Sequence, residues 1–202
     1  MRIKSRWHRR GQPKSMQQVA SAMAFIVWRV AQNALKRMRN EHYDIDPGPR
    51  YFAFLGELLI FLIQIADRIA YQRLDAGQRS EFTSALAIRV AEILDENASD
   101  LLGSPQAGSH QQSFIALLNE LAADYAEFQY TGTGPDFAFL RYLGNRVMAT
   151  VPQKDRPWVI DQIMSIEAPE AVATVQKGMH DLFDVPRRQP AADSAITADA
   201  KR

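Results

Sequence analysis

The chain contains no cysteine, and this absence excludes several classes of site. Disulfide bonds, thiolate zinc sites, iron–sulfur clusters and cysteine nucleophiles all require thiols, so none of them can form within these 202 residues. Glycine and proline, with 10 residues each, are too few for a collagenous or low-complexity chain. At 47% hydrophobic and 23% charged residues, the composition is that of one globular domain that folds without metal or disulfide support.

Asp and Glu are absent from residues 1–40, which carry ten Lys and Arg. The other 162 residues hold 14 basic and 23 acidic side chains, so the net charge of +1 combines a basic end of +10 with an acidic body of −9. Six of the basic side chains lie in residues 1–14, for which we predict a flexible basic arm; they are Arg2, Lys4, Arg6, Arg9, Arg10 and Lys14. Three interpretations of the arm stay open: contact with the acidic body, binding to an anionic membrane surface or nucleic acid, and a targeting peptide.

Asn-Gly and Asp-Gly hairpin turns are also missing, whereas helical periodicity recurs along most of the chain. The pattern predicts an all-α protein with a single-domain helical bundle over residues 15–185. We expect about five long and two short helices, and a disordered tail at residues 186–202, where no apolar period remains.

Two long helices open the predicted bundle. The first runs over residues 16–39, and the second starts at Pro49, where a proline suits the first helical position. From Tyr51 to Ala66 the second helix is apolar almost all round, so we predict that it is the buried central helix. A membrane span needs about 20 apolar residues, and polar side chains interrupt this run, so no transmembrane span is predicted.

The later helix boundaries are predicted from caps and prolines. Asp75 with Gln78 opens a third helix that ends in the polar residues 95–100, and Ser109 with Gln112 forms a capping box for a fourth that includes Phe128. The remaining boundaries come from four prolines. Pro135 opens a fifth helix to about residue 150, and Pro152, Pro157 and Pro169 separate two short helices near 157–166 and 169–183.

Glu57 is the only charged residue in the apolar run of the second helix. At 100° per residue, Gln64 and Arg68 lie on the same stripe of that helix. Two interpretations stay open. The stripe either faces solvent or an inter-helix hydrogen-bonded network, or it contains a functional carboxylate.

The spacing of the acidic residues, histidines and glycines does not match a known metal-binding or nucleotide-binding motif. Glu120, Asp124 and Glu127 share a flank of the fourth helix, but no histidine follows a Glu by three residues, as a di-metal bundle requires. The glycines at 132 and 134 lack the Lys and Ser or Thr of a phosphate-binding loop. We therefore predict no metal and no cofactor.

Six aromatic residues lie within the 18 residues from 125 to 142. They are Tyr125, Phe128, Tyr130, Phe137, Phe139 and Tyr142. Aromatic side chains at helical spacing are typical of a core, and the alternative is a partner groove or apolar ligand pocket at this aromatic junction.

The function predicted from these features is that of a non-enzymatic helical protein that acts through self-association or a protein partner. Phe25 and Trp28 widen the apolar face of the first helix, which favours a homo-oligomer. One alternative is an enzyme or apolar-ligand binder that uses the Glu57 stripe and the aromatic junction. Another is a peripheral membrane or nucleic-acid-associated protein that uses residues 1–14. The expected location is cytoplasmic, with a peripheral membrane association as the alternative.

Overall fold

A computed structural model describes residues 15–103, 106 and 108–183. Within these ranges the predicted all-α bundle is confirmed, with six continuous helical segments and one very short pair of strands. The predicted basic arm at residues 1–14 and the predicted tail at 186–202 lie outside the described residues.

The first two helices match their prediction closely. Helix α1 (Met16–Asn40) begins after Ser15, which forms a capping box with Gln18. Helix α2 (Pro49–Tyr71) is buried on almost all sides and packs against the helices on both sides of it in the chain and against three later ones. It is therefore the central helix. No helix among the described residues is long and apolar enough to cross a membrane.

Helix α3 (Ala76–Leu102) continues through residues 95–100, where an end is predicted. In this stretch Asp95 makes a contact distant in sequence: its carboxylate accepts hydrogen bonds from the backbone N–H groups of His110 and Gln111, at 3.0 and 3.1 Å. It thereby caps the start of helix α4 (Ser109–Ala126). The predicted Ser109 cap is wrong, since the N-cap residue is Gly108.

A short hairpin separates α4 from the next helix. Strand β1 (Tyr130–Thr131) pairs antiparallel with β2 (Gly134–Pro135), and Gly134 has a φ of 123° that favours glycine. Helix α5 (Phe137–Thr150) begins after Asp136, whose carboxylate accepts from the Phe139 N–H at 2.8 Å. The predicted helix start at Pro135 and the helical assignment of Phe128 are therefore wrong.

The last helical segment is continuous where a break at Pro169 is predicted. Helix α6 (Arg156–Gln162) passes through a π-helical turn (Ile163–Glu167) into helix α7 (Ala168–Phe183). The wider turn lies directly before Pro169, a residue that a regular α-helix does not accommodate without distortion. It also aligns the buried Ile163 with the buried Ala168, five residues on. Among residues 15–103, 106 and 108–183 the bundle thus has six continuous helices instead of about seven.

Candidate functional site

Glu57 is buried and forms a two-pronged ion pair with Arg146 of α5. The Arg146 Nε and Nη2 groups donate to the two carboxylate oxygens at 3.0 and 2.7 Å. This planar geometry satisfies both oxygens and is the strong form of an Arg–carboxylate contact. Glu57 therefore takes part in an inter-helix hydrogen-bonded contact, which is one of the arrangements considered from the sequence.

Tyr125 stands beside this ion pair with its ring fully buried. Its hydroxyl is buried and has no hydrogen-bond partner among the described residues. Burial raises the pKa of Tyr125 well above its ordinary value, and the nearby Glu57 charge adds to that rise. The phenol thus stays neutral.

Tyr142 of α5 contacts Tyr125 and an acidic side chain of α4. Its hydroxyl donates to the Asp124 carboxylate at 2.5 Å, and its ring lies edge-on to that of Tyr125, with centroids 4.9 Å apart. Burial, together with this hydrogen bond, raises the pKa of Tyr142 to about 12. We call Glu57, Arg146, Tyr125, Tyr142 and Asp124 the Glu57 cluster.

Arg68 of the predicted stripe meets this cluster at the Tyr125 backbone and not at the ion pair. Arg68 donates to the backbone carbonyls of Tyr125 and Ala126 at 2.9 and 3.2 Å, and so caps the end of α4. Gln64 lies between Glu57 and Arg68 on α2 and is half-buried. Two residues of the stripe thus connect α2 to different helices, Glu57 to α5 and Arg68 to the end of α4.

Most side chains of the aromatic junction pack against one another or against the core. Phe139 is fully buried and contacts both Phe61 and Phe128, at 5.5 and 5.8 Å between ring centroids. The Tyr130 hydroxyl accepts a hydrogen bond from Gln176 of α7. Phe137 differs, with 72% of its surface exposed.

The first helix contributes less exposed apolar surface than predicted. Trp28 is buried in the core, so it cannot support a self-association surface. Phe25 is exposed, and the Arg29 guanidinium lies 5.7 Å from its ring centroid.

A second buried carboxylate, Glu167 in the π-helical turn, is missing from the sequence-based candidates. It is fully buried, and Arg37 of α1 donates to its Oε2 at 3.0 and 2.6 Å. Gln162 donates to the other oxygen at 3.3 Å, and Arg37 also lies 3.1 Å from Glu170. We call these four residues the Glu167 cluster.

The described surface has a shallow groove with a volume of about 520 Å³. It lies where α2 begins, α5 ends and α6 begins. Its walls include the apolar residues Pro49, Ala53, Ala149, Val151 and Pro152. Arg50 and Arg156 also line it, both exposed, and neither has an ion-pair partner among the described residues.

The end of α3 exposes apolar and acidic side chains, whereas the groove is lined by apolar side chains and arginines. Leu101 and Leu102 are 52% and 39% exposed, next to the exposed carboxylates of Glu96 and Asp100. These four residues are called the α3 tip. No Lys or Arg occurs between residues 90 and 140 of the sequence.

The groove and the α3 tip lie at one end of the bundle. The connection of residues 72–75 is short, and α2 and α3 pack against each other, so they run antiparallel. The end of α3 therefore lies near the start of α2, where the groove is. We call this the groove end.

Comparisons with known proteins identify no relative: no family model, no curated protein and no solved structure matches the chain. In residues 15–103, 106 and 108–183, no group of three or more His, Asp or Glu could hold a metal ion. The prediction that the protein needs no metal or cofactor stays a prediction.

Proposed function

We propose that the protein is a non-enzymatic helical protein that acts through self-association or a protein partner, and that the groove end is its binding surface. The main observation in favour of the proposal is the groove, where two arginines without an ion-pair partner in the described part of the chain flank apolar walls. Arginine and apolar side chains are typical of interface centres, with polar groups around them.

The two buried clusters support this choice of surface over the enzyme alternative. The carboxylate oxygens of Glu57 and Glu167 already accept hydrogen bonds from arginines. A carboxylate that acts as a general base must reach the proton it takes from a substrate. Both acids are instead directed at inter-helix contacts.

Sedimentation velocity over a wide range of protein concentration tests self-association. We expect the mean mass to rise with concentration above that of the 22.8 kDa chain. Salt should weaken the association, because exposed charges contribute to it. A monomer at every concentration, up to the high micromolar range, contradicts self-association.

A second candidate function is binding to polyanions through residues 1–14. The described residues hold 14 basic and 20 acidic side chains, a net −6, whereas residues 1–14 carry +6. The arm is thus the main basic region, suited to membrane or nucleic-acid phosphates. We expect salt-sensitive binding to anionic vesicles or single-stranded DNA that a variant with all six Lys and Arg of the arm changed to Gln lacks. If the unmodified protein binds neither at low salt, this function is wrong.

A further inference from the structure

We infer that the first half of α1 extends the basic arm of residues 1–14 into a binding surface for single-stranded nucleic acid, on which an unpaired base stacks against the ring of Phe25. The inference rests on the second candidate function, polyanion binding through the arm, and names the class of ligand and the further residues that contact it. We call Gln18, Ser21, Phe25 and Arg29 the α1 face.

The exposed side of α1 carries no acidic residue. Helix α1 has no Asp or Glu, and apart from Phe25 its exposed residues are polar or basic; they are Gln17, Gln18, Ser21, Phe25, Arg29, Asn33, Lys36, Arg39 and Asn40. At 100° per residue, the four members of the α1 face lie within about 80° of one another, opposite the core. Amide, hydroxyl and guanidinium groups on one side of a helix are suited to phosphate oxygens.

Phe25 and Arg29 lie at the centre of this surface. The Phe25 side chain is 57% exposed, and the Arg29 guanidinium lies 5.7 Å from its ring centroid. Arg29 has no ion-pair partner among the described residues. A nucleobase stacks on an aromatic ring while a nearby arginine contacts the phosphate backbone. Neighbouring bases cover the faces of a base inside a duplex, so such stacking requires a single strand.

The arm joins the α1 face directly. Lys14 precedes Ser15, the N-cap residue of α1, so no connecting segment separates the arm from the helix. Residues 1–29 contain seven Lys and Arg, no Asp or Glu, and a further aromatic residue in Trp7. A phosphate backbone gains from contact with such a run of positive charge, because its counterions are released.

The helices beside the start of α1 are α3 and α7. Helix α1 packs against both of them. Gly178 in the second half of α7 lies close to Ile26, and the ring of Phe183 at the end of α7 lies 5.6 Å from that of Phe82 near the start of α3. The first half of α3 and the second half of α7 are therefore the neighbours of the α1 face.

These neighbouring segments add little negative charge. Residues 76–91 of α3 contain two Arg and one Glu. In residues 175–183 of α7 the one acid is Asp181, which pairs with Lys177 at 2.6 Å. The acids of the α3 tip lie at the other end of that helix. Basic side chains thus equal or outnumber acidic ones in the segments beside the α1 face.

The α1 face fits a membrane surface less well. A helix that lies on a membrane buries its apolar side in the lipid, but the apolar side of α1 is packed in the protein core. Phe25 is the one large apolar side chain that α1 exposes. The amides and the hydroxyl around it offer hydrogen bonds instead of apolar area, which favours nucleic acid over lipid.

Helix α5 contains a matched pair at another place in the bundle. Phe137 and Arg141 have the same residue types and the same four-residue spacing as Phe25 and Arg29, and both are exposed. An acidic residue directly precedes Phe137, and the arm does not adjoin this helix. Variants of the two pairs therefore separate the effect of location from the effect of residue type.

Fluorescence anisotropy of short labelled oligo(dT) and oligo(U) tests the stacking in the full-length protein. We expect the unmodified protein to bind, and the tighter ligand of the two identifies the class of nucleic acid. Phe25→Ala should weaken binding at least about fivefold, the lower limit for the loss of one stacked base. Phe25→Tyr keeps the ring and should retain the affinity, whereas Phe25→Leu should bind as weakly as Phe25→Ala.

The salt dependence tests the phosphate contact separately. Arg29→Gln should reduce the slope of log K against log salt by about 0.7, because one contact to a single strand is lost. Phe25→Ala should leave that slope unchanged, since a stacked ring releases no counterion. The control variants Phe137→Ala and Arg141→Gln should bind as the unmodified protein does. Circular dichroism verifies that every variant is folded.

The outcomes distinguish this inference from the second candidate function. If the unmodified protein binds no oligonucleotide at low salt, the inference is wrong. If the arm variant with six Gln loses binding but the Phe25 and Arg29 variants behave like their α5 controls, the inference is wrong while polyanion binding through the arm stands. If Phe25→Ala weakens binding to phosphatidylserine vesicles but not to the oligonucleotides, the α1 face contacts membranes and the inference is again wrong.

Discussion

Glu57 and Glu167 are the two buried carboxylates among the described residues, and their surroundings differ. Glu57 lies inside a regular helix, and one arginine satisfies both of its oxygens. Glu167 ends a π-helical turn and shares Arg37 with Glu170, while Gln162 holds its second oxygen. The first acid depends on a single partner, and the second belongs to a network.

The comparison shows two ways to tolerate a charge inside a helical bundle. Arg146 and Arg37 each reach the buried acid from a partly exposed position, so water still solvates part of each guanidinium. A buried ion pair adds little net stability, but removal of one partner leaves an uncompensated charge. The cost of that removal depends on what else contacts the acid.

The largest expected effect comes from Arg146→Met. It leaves Glu57 without its arginine, so we expect a loss of about 3–5 kcal/mol in the free energy of unfolding. Arg37→Met should cost about 1.5 kcal/mol less, because Gln162 still donates to Glu167 and hydrogen bonds to charged groups are worth about that much. Urea unfolding followed by circular dichroism measures both.

Arg141→Met is the matched control, since Arg141 is exposed on the same helix as Arg146. It should change stability by no more than about 0.5 kcal/mol. The double variant Glu57→Leu with Arg146→Met should recover most of the loss, because it removes the unpaired charge. An equal or larger cost for Arg37→Met would show that the network around Glu167 does not compensate.

Much of the fold was predictable from local patterns. Apolar periodicity and caps define α1 and α2, and the apolar surroundings of α2 identify it as the central helix. The errors occur where a distant contact or a local irregularity overrides such a pattern. Asp95 caps a helix that starts 14 residues later, and the π-helical turn carries the chain through Pro169.

The buried clusters were predictable only in part. Glu57 stands out as the one charge in an apolar run, but its partner Arg146 is 89 residues away, and no local pattern links them. Glu167 gives a weaker signal, because Asp161 and Glu170 are charged residues close to it in the sequence, so it is not the one charge in an apolar run. The groove joins the starts or ends of three helices, so it exists only in the folded chain.

A smaller effect is expected from Tyr125→Phe in the Glu57 cluster. The buried Tyr125 hydroxyl has no partner among the described residues, so its removal saves the cost of desolvation. We expect the free energy of unfolding to rise by about 1 kcal/mol. Tyr142→Phe is the contrast, because it loses a hydrogen bond to Asp124 and should lower stability at neutral pH. A loss of stability in Tyr125→Phe would contradict the unsatisfied hydroxyl.

The smallest effect concerns alkaline pH, which compares Tyr142 of the Glu57 cluster with Tyr43, a tyrosine outside both clusters. The pKa of Tyr142 is raised from 10.0 to about 12, chiefly by burial, and burial also raises the pKa of Tyr43, with a minor contribution from Glu167. A pKa raised on folding means that the neutral phenol stabilises the protein fully below pH 10. That contribution is lost as the pH rises from 10 towards 12, because the unfolded chain ionises first.

Phenylalanine cannot ionise, so Tyr142→Phe should lose less stability than the unmodified protein between neutral pH and about pH 11. Tyr43→Phe tests the same effect at a partly buried tyrosine outside both clusters. Urea unfolding at a series of pH values measures the slopes, and Tyr71→Phe at an exposed position serves as control. If Tyr142→Phe has the same alkaline slope as the unmodified protein, the Tyr142 phenol ionises equally in both states. Burial beside Glu57 would then have no effect on this tyrosine, and the Glu57 cluster would be more open to water than its packing indicates.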